Sequence, residues 1–117
     1  MLRFEGKRVY LACGKTDMRK SIDGLAAIVQ GSFKQNPFDD VLFVFCNRNR
    51  DRIKILEWDG DGFVLYFKRL EKGHFRWPAS GEELTMTLTS EELTMLLGGT
   101  KVELKLRRKE VLGRRII

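Results

Sequence analysis

Residues 41–46 read VLFVFC, six apolar positions with no polar interruption. A strand wetted on one face alternates apolar with polar residues. An unbroken run this short, rich in branched and aromatic side chains, predicts a strand buried on both faces. It belongs at the centre of a sheet.

The neighbouring patterns supply the rest. Arg8 to Ala12 (RVYLA) reads as a strand. Met18, Ile22, Leu25, Ala26, Val29 and Phe33 recur at three- and four-residue spacing, which predicts a helix with one apolar face. Thr16 or Asp17 can cap its start, and Asn36-Pro37 ends it. NRNRD (47–51) reads as a turn before the strand RIKILEW (52–58). Asp59-Gly60-Asp61-Gly62 is a hairpin turn, because glycine accepts positive φ, and FVLYFKRL (63–70) returns as a further strand. Gly73 and Pro78 break the next segment. Leu84, Met86 and Leu88 alternate with threonine as a half-buried strand does. Thr89 then opens a capping box with Glu92, and a short helix runs to Leu97 before Gly98-Gly99. The expected class is α+β: a small single domain, mostly an antiparallel β-meander, with one longer N-terminal helix and one short C-terminal helix.

A chain of 117 residues fits one domain, expected over residues 1–99, with a basic tail over 100–117. Residues 1–99 hold 15 Lys+Arg against 14 Asp+Glu, whereas residues 100–117 hold 7 against 2. The body is nearly neutral and the tail carries most of the net +6. A basic tail suits contact with a polyanion or an anionic membrane, or is merely a solvated end. No apolar run approaches the ~20 residues of a membrane span, and MLRFEGKRVYLA lacks the order of a secretory signal. The expectation is a cytoplasmic protein with no membrane contact. Cys13 and Cys46 lie in apolar, strand-like surroundings and read as buried free thiols. With His74 they fall short of the four ligands of a zinc site.

GKT at 14–16, between a strand and a helix, suggests a phosphate loop. That loop needs a second glycine five positions earlier, where Val9 stands, so the reading fails. Lys15, Arg19 and Lys20 still crowd a helix start, where the macrodipole disfavours cations. Either Asp17 and Asp23 compensate locally, or the cations flank an anion site for a backbone phosphate.

A second constellation is stronger. Arg48, Arg50, Arg52 and Lys54 occupy every second position, and would project to one side if the chain stays extended. Lys68, Arg69, Lys72 and Arg76 follow on the return, interleaved with Trp58, Phe63, Tyr66, Phe67, Phe75 and Trp77. Guanidinium forks match phosphate oxygens, so a basic hairpin can lie along a DNA backbone. The plainer alternative pairs these cations with Asp51, Glu57, Asp59, Asp61 and Glu71, and leaves the aromatics in the core. DGDG lacks the further ligands of a calcium loop. Asp39-Asp40 and Glu82-Glu83 serve as turn or capping residues, and His74 is the only histidine to act as a base. No catalytic set emerges.

VYLACGKTDMRKSIDGLA, NRNRDRIKILEWDGDGFVLYFKRLEKGHFRWP and EELTMLLGG together resemble the TnpB accessory proteins of the insertion sequence 66 family. The resemblance runs from about Val9 to Gly99. It implies a bacterial transposition accessory factor encoded beside a separate transposase, and it carries no catalytic residues. T-D-M-R-K matches at Thr16 to Lys20 and N-R-x-R-D-R-I-K at Asn47 to Lys54. The expected protein is therefore non-enzymatic, with no cofactor, no metal and no small-molecule substrate. Its expected partners are DNA and the transposase of the same element. Arg48, Arg50, Arg52, Lys54, Arg69, Lys72, Arg19 and Lys20 are the candidate nucleic-acid contacts. The alternative is an adaptor that binds the transposase without touching DNA, through the apolar 84–97 strand-helix unit.

Overall fold

The computed structural model describes residues 4–98. The basic tail over 100–117 and the second glycine of Gly98-Gly99 lie outside the described residues. Five strands and two helices follow in the order β1 (Arg8–Ala12), α1 (Ile22–Gly31), β2 (Val41–Cys46), β3 (Arg52–Trp58), β4 (Phe63–Arg69), β5 (Thr85–Leu88) and α2 (Ser90–Leu97). The sheet order is β4-β3-β2-β1-β5, so the α+β class holds.

All six residues of β2 are buried, as the unbroken apolar run requires. Val41, Phe43 and Phe45 face α1 and pack with Leu25, Val29, Ala12 and Leu56. Leu42 and Val44 point the other way, toward Leu93 and Leu96 of α2 and Phe4. Burying side chains of this size is worth about 1.5–3 kcal/mol each, so the strand sits where both faces contribute.

Two features depart from the expected meander. β1 pairs with β2 in parallel, Arg8 opposite Val41 and Leu11 opposite Val44, which makes the sheet mixed. Parallel neighbours need a crossover, and α1 is that crossover. The β2-β3-β4 part is the antiparallel meander that was expected, and β5 joins the free side of β1, also antiparallel. The helices differ less than expected, at 10 residues for α1 and 8 for α2.

α1 is shorter than expected because it begins at Ile22 rather than near Thr16. Residues 14–21 are held by other bonds: Gly14 N–H donates to the Pro78 carbonyl, Thr16 N–H to Cys46, and Arg19 N–H to the Asp17 carboxylate. The first two of these contacts hold the segment against the strap and the end of β2 as a loop, and the helix starts only after it. Ser21 is the N-cap and its side chain makes no capping bond. By contrast, Thr89 and Glu92 form the complete capping box at the start of α2.

Gly14 has φ +76, and a Cβ there would lie 2.8 Å from the Ser80 Cβ. Its glycine is therefore required by close packing, which explains the GKT triplet without a phosphate loop.

Between β4 and β5 the chain crosses the sheet. Leu70 N–H donates to Asp51, Phe75 N–H to Arg50, and Trp77 Nε1–H to the Ala12 carbonyl at 2.9 Å. Phe75 is buried beside Cys46 and Ile53. This strap ties together the chain ends of β3, β2 and β1.

Candidate nucleic-acid interface

Sheet register decides where the charges go. The carboxyl ends of β1, β2 and β4 and the amino end of β3 lie at one edge: Arg8 pairs Val41, Cys46 pairs Ile53, and Arg52 pairs Arg69. Lys15, Arg19 and Lys20 follow β1, Arg48 and Arg50 follow β2, Arg52 opens β3, and Arg69 and Lys72 close β4. The strap adds Arg76 through the Phe75–Arg50 bond. Asp17, Asp23, Asp51 and Glu71, with Glu82 and Glu83 beside the start of β5, are the acids at that end.

The opposite end carries Glu5, Asp39, Asp40, Glu57, Asp59, Asp61, Glu91 and Glu92 against Lys7, Arg8 and Lys34. A nearly neutral body therefore conceals two poles. The acids that a sequence reading would pair with the arginines are mostly elsewhere. Glu57 pairs with Lys7 at 2.9 Å and accepts from the Tyr66 hydroxyl at 2.7 Å. Burial and that carboxylate push the Tyr66 phenol up to about 12. Asp59 and Asp61 occupy the far turn.

The one-sided row of Arg48, Arg50, Arg52 and Lys54 is not realised, because the chain does not stay extended. Asn47 closes a turn: its Oδ1 accepts from the N–H groups of Asp51 and Arg52, each at 3.0 Å, and its Nδ2 donates to Asp51 at 2.8 Å. Arg50 takes a left-handed φ of 59°. Only Arg52 and Lys54 share a strand face. Arg48 and Arg50 project from the turn, both exposed, and neither joins an ion pair among the described residues.

The remaining candidates fall into distinct states. Arg69 meets Glu71 at 2.9 Å, and Arg52 lies 3.9 Å from Asp51. Arg19 closes a fork on Asp17, with Nη2 to Oδ2 at 2.8 Å, and that guanidinium holds the Asp17 carboxyl well below its usual range. Lys20 and Lys72 are exposed. Lys54 is committed internally, its ammonium donating to the carbonyls of Met18 and Lys20 at 2.8 Å each. Lys68 bonds the Leu97 carbonyl at the end of α2. Of the interleaved aromatics, Phe75 is core, Trp77 and Tyr66 are half-buried and hydrogen-bonded, and Phe67 stands 54% exposed beside this pole.

A cleft of about 410 Å³ opens between the two loops beyond the carboxyl ends of β1 and β2, lined by Lys15, Thr16, Asp17, Met18, Asn47, Arg48 and Asn49. Crevices outside the carboxyl ends of parallel strands are where such sheets take ligands. Asn47 and Asn49 were not anticipated as lining residues. The asparagine preceding a turn is the signal that could have drawn attention to them.

Cys46 is fully buried, and burial pushes its thiol up to about 12, so it behaves as a core side chain. Neither cysteine is in a disulfide. Among the described residues no three His, Cys, Asp or Glu side chains group to hold a metal ion, and no helix is long and apolar enough to cross a membrane.

The family model described as IS66 Orf2 like protein matches residues 7–107. An uncharacterized protein of Sinorhizobium fredii, y4hO, is 42% identical over 92 residues, covering 79% of each chain. A second from the same organism, y4jC, is 32% identical over 94 residues, covering 80% of each. No solved structure matches the chain.

Proposed function

The chain belongs to the family of IS66 Orf2-like proteins, which points to an accessory role in transposition, and we propose that it performs this role by binding DNA through its basic pole. One observation carries the reading: cations from four separate segments meet at one end of the sheet, while most of the acids that could neutralise them sit at the other. Arg48 and Arg50, exposed and outside every ion pair among the described residues, are the leading phosphate contacts. Arg52, Arg69, Lys72, Arg19 and Lys20 surround them. Lys54 supports the loop that carries Lys15 to Lys20. Contacts of this type position a protein on DNA without reading base sequence.

α2 ends at this same pole, since Leu97 packs against the Cys46–Ile53–Phe75 cluster.

Fluorescence anisotropy of a labelled duplex tests it, at low and moderate salt. Six phosphate contacts give a slope of about −5 in log K against log salt. R48A/R50A/R52A is expected to abolish binding and flatten that slope. If the triple variant binds as the parent does, the basic pole is not the DNA surface. If the parent does not bind at low salt, the adaptor reading takes over, with the transposase as the partner to test.

A further inference from the structure

At the acidic pole an aromatic cluster reaches solvent. Phe38 is 53% exposed, and its ring lies 4.9 Å from Trp58 and 5.3 Å from Phe63, which are themselves 5.0 Å apart. Phe38 comes from the α1–β2 connection, Trp58 closes β3 and Phe63 opens β4. The triad continues outward from the core beneath α1, because Phe63 packs against it.

Aspartates rim these rings. Asp39 and Asp40 follow Phe38 in sequence, and Asp59 and Asp61 fill the turn joining Trp58 to Phe63, all four exposed. Asp40 meets Lys7, but Asp39, Asp59 and Asp61 join no ion pair among the described residues. Exposed ring faces framed by uncompensated carboxylates repel a nucleic acid and suit a cation that also has a flat, weakly hydrated surface. Guanidinium is that cation: it stacks on aromatic faces and forks onto carboxylates.

We propose that the Phe38–Trp58–Phe63 surface is a docking site for an arginine-bearing, cationic segment of a partner protein. One arginine lies over the rings and its neighbours engage Asp59, Asp61 and Asp39. The inference goes beyond the DNA reading and does not depend on it, because it uses the other end of the sheet. Charge complementarity selects the occupant.

The test uses full-length protein and a fluorescein-labelled peptide, Arg-Leu-Arg-Arg-Leu-Arg-Lys-Leu, followed by anisotropy. F38A and D59N/D61N are each expected to weaken binding at least fivefold, and replacing every peptide arginine by lysine at least threefold. R48A/R50A is expected to leave peptide binding unchanged. Equal affinity in F38A, or for the all-lysine peptide, overturns the proposal in favour of unspecific charge attraction. Sedimentation of each variant guards against the remaining occupant. If the parent self-associates and F38A is monomeric, a second copy covers the rings and the proposal is wrong. Phe38 is exposed, so F38A is expected to fold, which circular dichroism checks.

Discussion

Lys54 reaches back 36 positions to donate from Nζ to the carbonyl of Met18 at 2.8 Å. The same ammonium bonds Lys20, so β3 pins the loop that carries Lys15, Arg19 and Lys20. Hydrogen bonds from a charged donor are worth about 1.5–3 kcal/mol. K54M is expected to lose roughly that much stability, seen as a lower urea midpoint at unchanged slope. R48A is expected to do the reverse, losing DNA affinity with stability within about 0.5 kcal/mol. Urea titration and DNA anisotropy on both variants separate positioning from contact.

Asn47 holds the turn that presents Arg48 and Arg50, and N47A removes its bonds to Asp51 and Arg52. A loss of about 1–3 kcal/mol is expected, chiefly from donors left unsatisfied. The pH dependence gives a second readout. The Asn47 side chain depresses the Asp51 carboxyl below its ordinary range, with a smaller contribution from Arg52. A folded value below the unfolded value of about 3.9 means the unfolded chain binds the proton more readily. The contribution is therefore present above about pH 4 and fades as pH falls through the folded value. The stability gap between parent and N47A should narrow below pH 4 in urea titrations run from pH 6 to pH 2.

G14A forces a side chain into left-handed backbone and into Ser80, 2.8 Å from the new Cβ. The expected loss is about 1–3 kcal/mol. S80G removes the Cβ and Oγ collisions and should restore part of the loss, leaving the share due to φ and to the backbone nitrogen of residue 80 at 3.3 Å. Thermal melts of the two single variants and the double variant give the coupling. A glycine serving only to approach phosphate would show no rescue.

Cys46 is fully buried with its thiol pushed up to about 12. In a C13S background, native protein at pH 8 is expected to resist a thiol-disulfide reagent, and unfolded protein to react completely. Rapid labelling of the native form would mean that the end of β2 opens readily.

The alternation of Arg48, Arg50, Arg52 and Lys54 was legible as charge but not as geometry. A period of two implies one face only while φ and ψ remain extended, and Asn47 with a left-handed Arg50 ends that within four residues. The proposed helix start at Thr16 failed in the same way. Local propensity there is satisfied, but bonds from Gly14 to Pro78 and from Thr16 to Cys46 hold the segment as a loop on the end of the sheet.

By itself the sequence determined the buried β2, the β3–β4 hairpin through DGDG, the capped start of α2 and the family, because each rests on neighbouring residues or a continuous motif. Tertiary structure alone decided the parallel β1–β2 pairing, the late start of α1 and the separation of charge into two poles. Pairing direction depends on which distant strand buries more surface. The position of a charge depends on which end of a strand it follows, and composition carries neither.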